Sequence, residues 1–454
     1  MSLELHQDCQ KRLVESIADQ LQKVIVNNEV YLDTRSMTGI LDCDKILPQT
    51  GKEKKVLDKY IGDTPLYDFI FESLSREIYE NGEYNLESES SALSSNPRFA
   101  DLNVTARHLI EAFKSLPWKY VVWFELNPAL GKIIREHVPE HAISDKIRIV
   151  SPDAKHDQIF PLMSGVKERD KRHFSRYDFL FTSTEKAEWN QETAYLRFDT
   201  DGFIGMYEKS TPIEEIIFSL KAFFGLCLAF NILRVRERTY GWGFGRRVKS
   251  YLTVHKREGE QWVPWTRLDL PQDVSELLRI LEVTELETKR EATETGELIR
   301  GVFLLISRVF NNIPKTKKIL LAGQWLLDSY TSQNELLSFV QTIVALEILL
   351  GEKAKSDIIG IGELLSNRCA YLIGKSHSER EDILKEFEKI YEVRSKIVHR
   401  GHTKLTMEER SLFRKLQWMC RRVIWEEIML IIEDEKKELF LHLPRPPSKK
   451  QECC

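Results

Sequence analysis

The chain has 454 residues, a formal net charge of −4, 30% charged residues and 42% hydrophobic ones. That length exceeds one ordinary core and predicts two or three domains of a soluble protein. The charge excludes a protein that coats nucleic acid over its whole surface, so any such contact must come from a local patch.

Apolar positions Leu13, Ile17, Leu21, Val24 and Ile25 predict a helix within residues 4–27. Thr64-Pro65 predicts a helix start, with Leu66, Phe69, Ile70, Leu74 and Ile78 on its buried face and Gly82 ending it. Residues 83–98 are rich in Ser, Glu and Asn and read as a loop or linker. Trp118–Leu126 and Lys146–Val150 are strand-like. Asp199-Thr-Asp-Gly202, between Tyr195–Phe198 and Phe203–Tyr207, predicts a hairpin turn. Thr211-Pro212 opens an apolar helix running through Ile216–Leu233. That stretch carries Lys221 and Asn231, which favours burial in a globular core over a membrane span. A hairpin is expected over residues 247–268, turning at Glu258-Gly-Glu260. Beyond residue 273 nearly everything reads as helix, with 284–297 as a separator, a first bundle helix through Ile319–Tyr330 and a last one over 407–435.

The predicted class is therefore α+β multidomain: a mixed α/β N-terminal and middle region, then an all-α bundle. The expected division is a helical N-terminal segment with a polar linker (1–98), a mixed α/β sensor or substrate-binding domain (99–283), the bundle (298–440) and a disordered tail (441–454). Seven scattered cysteines without a C-x2-C pair argue against a zinc ribbon or a disulfide framework and fit a reducing cytoplasm. The N-terminal residues do not form a signal-peptide pattern.

Three chemical signals stand out. Tyr391-Glu-Val-Arg-Ser-Lys-Ile-Val-His-Arg-Gly401 places Arg394 and His399 near a helix end that Gly401 can stop. Arg grips phosphate with a planar fork and His moves protons near neutral pH, a pair suited to breaking an RNA phosphodiester. Arg234–Arg257 holds eight Lys or Arg residues, Arg246, Arg247 and Lys249 among them, interleaved with Tyr240, Trp242, Phe244 and Tyr251. This composition suits single-stranded RNA or, equally, a solvated hairpin. Asp153-Ala-Lys155 has the spacing of half a metal-dependent nuclease site, with Glu125 or Asp145 as candidate acids; an ordinary turn explains it as well. His137 and His141 flank Pro139, which breaks the helix that would aim both rings alike.

Three blocks in order, Phe339–Leu350, Glu363–Ile373 and Phe387–His399, resemble the Apea-like branch of the HEPN domain family over about residues 316–440. The resemblance implies a helical bundle that often dimerises and, in active members, cleaves RNA without metal or cofactor. It marks Arg394 and His399 as the catalytic pair, Ser395 as the polar residue after the Arg, and Glu347 as a structural acid that could pair with Arg368. Arg400 stands where the branch often has Gly, which here follows at 401. The branch is linked to prokaryotic antiviral or abortive-infection defence, with an N-terminal region that senses an unknown trigger or binds substrate. Two alternatives stay open: a non-catalytic RNA-binding or dimerisation bundle, and a metal-dependent nuclease in the middle region. A homodimer is expected with Leu336, Val340 and Ile343 as its patch, because Arg394 and His399 fall about 140° apart around one helix.

Overall fold

A computed structural model describes residues 3–81, 89–162, 188–205, 210–236, 250–284, 292–331, 334–351 and 360–432. The expected helix stop at Gly82 and the tail 441–454 lie outside them.

The N-terminal layer is helical, built from α1 (Gln7–Leu21), α2 (Leu41–Asp44), α3 (Gly51–Tyr60), α4 (Pro65–Asn81) and α5 (Leu102–Lys114). Leu13, Ile17, Leu66, Phe69, Ile110 and Phe113 share one buried cluster. Since α5 and Phe203 pack there too, apolar contacts cross the expected boundary at 98. The helix predicted over 4–27 ends at Leu21. Ile25–Asn27 instead form β1, a β-branched strand between β2 (Tyr31–Leu32) and β3 (Ser91–Ala92).

The middle region is a six-stranded antiparallel sheet. Its strands are β4 (Trp118–Glu125), β5 (Glu140–Ala142), β6 (Ile147–Val150), β7 (Tyr195–Gly202), β9 (Tyr251–Glu258) and β10 (Gln261–Asp269), with β8 (Leu233–Val235) and β11 (Leu281–Val283) paired separately. The order is β10-β9-β4-β7-β6-β5. Strand β4 is apolar almost throughout because it is buried on both faces. Tyr120, Val122 and Phe124 enter the main core, while Val121 and Trp123 enter a smaller outer cluster. Helices α6 (Pro128–His137), α7 (His156–Ile159), α8 (Thr211–Ala229) and α9 (Gln272–Ile280) accompany the sheet.

The hairpin expected around Asp199–Gly202 does not form. Strand β7 runs straight through those residues, paired along its length with β4 from Glu125↔Tyr195 to Trp118↔Gly202. A complete ladder outweighs the local turn preference of Asp, Thr and Gly. The hairpin of β9 and β10 forms as expected, turning at Gly259 with φ +57°.

The C-terminal region comprises α10 (Ala292–Asn311), α11 (Ile313–Thr331), α12 (Glu335–Leu350), α13 (Ile361–Ile373), α14 (His377–His399) and α15 (Met407–Ile431). Helix α10 starts inside the stretch read as a separator and precedes the expected first bundle helix. One buried cluster extends from the sheet through α8 and α10 to Ile432 in the bundle. The apolar helix α8 lies against α11, where Lys221 is matched by Asp328 at 2.7 Å with both side chains largely buried. This pairing explains how a cation sits mid-helix in an apolar segment. Among the described residues, no helix is long and apolar enough to cross a membrane.

Candidate functional site

Helix α14 carries both expected catalytic residues. Ser376 caps it by accepting from the Glu379 N–H at 3.1 Å, and Glu379 accepts from the Lys375 N–H at 2.9 Å. Ile383, Phe387, Ile390 and Val393 form its buried stripe. The helix runs unbroken through His399, and Gly401 at φ +65° ends it, in the left-handed region where glycine fits without strain. The following turn is pinned by buried Leu405 and by Thr406, which forms a reciprocal capping box with Glu409. His402 Nε2 sits 2.9 Å from Glu409 Oε2. Burial opposes ionisation of Glu409, but the Thr406 N–H and His402 together hold its carboxyl below the usual range.

Arg394 is the half-buried member of a cluster joining α14 to α12. Its Nη2 lies 3.5 Å from Glu347 Oε1, and its guanidinium sits 5.7 Å from the centre of the Tyr391 ring. Tyr391 donates its hydroxyl to the same Glu347 oxygen at 3.0 Å. Burial and the adjacent carboxylate push the Tyr391 hydroxyl pKa up, so it stays a donor at neutral pH. Glu347 therefore meets Tyr391 and Arg394, whereas Arg368, expected as its partner, donates Nη1 to the Leu350 carbonyl at 2.7 Å and satisfies the end of α12. Tyr391 was missed as a site residue, although its i,i+3 spacing from Arg394 puts the two on one helix face.

Ser395 is half-buried and His399 is exposed. Because the helix is unbroken, Arg394 and His399 point about 140° apart. Around a single helix that angle aims the two side chains apart. Instead His399 crowns a basic helix end: residues 389–404 contain five Lys or Arg and one Glu. Lys396 pairs with Glu392 at 3.1 Å, while Arg400 and Lys404 are exposed.

The other expected residues fare differently. Arg246, Arg247 and Lys249, with Tyr240, Trp242 and Phe244, lie outside the described residues. The described cations of that run have partners within the chain: Arg234 and Arg236 with Glu282, Lys256 over the Trp118 ring at 3.6 Å, and Arg257 with Glu260. Asp153 accepts from the Lys155 N–H at 3.0 Å, closing a turn ahead of α7, and Glu125 accepts from Asn190 Nδ2 at 2.8 Å. Among the described residues, no three His, Cys, Asp or Glu side chains are grouped to hold a metal ion. His141 Nε2 lies 2.8 Å from Ser307 Oγ on α10. Ile343 is buried inside the protomer and is corrected as a dimer contact, while Leu336 and Val340 are half-buried. A cavity of about 230 Å³ lies elsewhere, between α4 and the sheet, walled by Glu72, Arg76, Glu77, Phe203 and Trp265.

No family model, curated protein or solved structure matches the chain.

Proposed function

We propose that this protein is a metal-independent endoribonuclease of HEPN type whose site lies at the C-terminal end of α14. The observation that carries the reading is the division of roles along that helix. Arg394 is held in place by Glu347 and Tyr391, ready to grip a phosphate, and His399 stands exposed in a basic surround. The angle between them supports a complete site made by two copies, with Arg394 of one facing the partner subunit's His399 across a two-fold axis.

In such a cleft one His399 takes the proton of an RNA 2′-hydroxyl. The O2′–P bond forms, Arg394 holds the negative charge on the phosphoryl oxygens, and the P–O5′ bond breaks as a solvent proton goes to the leaving oxygen, so one Arg394 and one His399 make a working site. The products carry 2′,3′-cyclic phosphate and 5′-hydroxyl ends. Prokaryotic defence is the setting that the family resemblance suggests.

The test is incubation of purified protein with total RNA in EDTA. Cleavage with cyclic phosphate ends is expected. Activity that requires added Mg²⁺ or Mn²⁺ would overturn the reading in favour of a metal-dependent nuclease in the middle region. Dilution separates the dimer from a monomeric enzyme: specific activity should fall as light scattering reports dissociation.

A second reading, a non-catalytic RNA-binding bundle, is favoured by one observation: Glu347 already neutralises Arg394 and competes with phosphate. Both readings place RNA on the basic helix end. Replacing Arg400 and Lys404 together with Ser should weaken RNA binding and reduce the slope of log affinity against log salt by about 1.4, the value for two released phosphate contacts on a single strand. An unchanged slope would show that this end does not meet RNA.

A further inference from the structure

The outer face of the six-stranded sheet carries a layer unlike the rest of the core. Strand register sets Trp123 beside Arg197 and Thr253, and Val121 beside Asp199 and His255. Across them lies a short segment containing α7 and Phe160, with Trp189 wedged alongside. His156 packs edge-on against Trp123 at 4.8 Å and Trp189 at 4.7 Å, and Phe160 against His255 at 5.6 Å. His255 is fully buried and His156 is 7% exposed.

This layer is short of hydrogen-bond partners. Among the described residues eleven buried side-chain polar atoms have none, and five of them fall here: Trp123 Nε1, Ser151 Oγ, His156 Nε2, Arg197 Nε and His255 Nδ1. Native interiors satisfy most such groups, so their concentration sets this layer apart from the rest of the core. His255 Nε2 lies 2.9 Å from the Pro161 carbonyl, which can only accept. Nε2 therefore carries the ring proton, and a second proton must go to Nδ1, which has no acceptor among the described residues.

The surrounding charges do not relieve this. On β7, Arg197 stacks 5.6 Å from both Trp123 and Phe160 and opposes further positive charge, while Asp199 is committed to it at 2.7 Å. On β9, Arg257 pairs with Glu260. On β4, Glu125 binds Asn190. Asp153 and Asp157 favour a charged His156 but are themselves exposed. Lys155, in the same segment, adds positive charge.

We propose that the segment 151–162 is an acid-released strap: protonation of His156 and His255 detaches it from the sheet and bares the Trp123–Arg197–His255 face. Closed, the strap is held by the contact of His255 with the Pro161 carbonyl, by the Trp189 Nε1 bond to the Phe160 carbonyl at 2.8 Å, and by the ring packing. Burial pushes both imidazoles down, His156 to about 4. A histidine with a pKa lower in the closed form than in the open one favours closure at high pH. That preference fades as pH falls below about 6.5, by up to about tenfold per pH unit for each histidine.

Hydrogen exchange of the full chain, corrected for the intrinsic pH dependence, tests the strap between pH 7.5 and 4.5. Amide protection over 156–160 should fall at least tenfold below pH 6, while amides of α8 and α11 stay protected. The double variant His156→Phe, His255→Gln keeps a donor for Pro161 and should flatten that dependence. Protection of 156–160 that ignores pH in the wild type, or falls equally in the double variant, overturns the proposal. If the double variant does not fold, NMR of ¹³C-labelled histidine in the wild type decides. His156 and His255 should both titrate below the ordinary histidine range, and both titrating near 6.5 would overturn it.

Discussion

His399→Ala is expected to lower RNA cleavage by about 10²–10⁴-fold, the usual worth of a positioned proton-transfer group. Its stability should stay within about 0.5 kcal/mol of wild type, because the side chain is exposed and anchors no core. Arg394→Ala should be as damaging to cleavage but slightly more so to the fold. It removes an ion pair that is about a third exposed, worth at most about 1 kcal/mol, and leaves Glu347 with Tyr391 as a donor. Mixing the two inactive variants supplies a sharper check. If the site is shared across a two-fold axis, heterodimers of His399→Ala and Arg394→Ala regain one intact Arg–His pair and some activity. No recovery on mixing, with both variants dimeric, would count against a shared cleft.

The largest stability effect is expected at Gly225. Helices α8 and α11 cross there backbone to backbone, and a Cβ on Gly225 would collide with the Gly323 carbonyl. No flexible side chain can yield, so the helices must separate. Gly225→Ala should cost about 2–3 kcal/mol and Gly225→Val about 4 kcal/mol or more. Gly401→Ala, which meets open space but must adopt φ +65°, should cost only about 1–2 kcal/mol. Urea unfolding followed by circular dichroism would rank the three. A Gly225→Ala midpoint equal to wild type would show that α8 and α11 do not meet at this point.

The end of α14 at Gly401 is a local signal and falls where it is expected. Ser376 as cap and the stripe Ile383–Phe387–Ile390–Val393 are local signals too, but only the structure picks them out. The opening of α8 at Thr211-Pro212 and the turn at Gly259 are local in the same sense. The misreadings share a different cause. Asp199–Gly202 has turn chemistry, yet a strand partner far away in sequence decides its shape. The acidic, Thr-rich approach to α10 hides a helix whose buried face, Leu298, Val302, Phe303 and Ile306, begins only later. The candidate site divides likewise. Arg394 and His399 can be picked out by spacing, but the Tyr391–Glu347 contact that orients Arg394 joins two helices and has no local signature. The outer layer of the sheet is assembled from β4, α7, β7 and β9, so neither His156 nor His255 is conspicuous in the sequence.

The single core that joins sheet and bundle bears on how this chain can be dissected. Gly323 on α11 leaves room for Ala222, Gly225 and Leu226 of α8, which belongs to the middle of the sequence. A fragment beginning at residue 292 would expose that groove to water and would be prone to stick to copies of itself. Removing the first 291 residues should therefore silence any activity by collapsing the bundle, and would be misread as evidence that those residues recognise the substrate. Point substitutions in the intact chain are the informative route to the role of the N-terminal half.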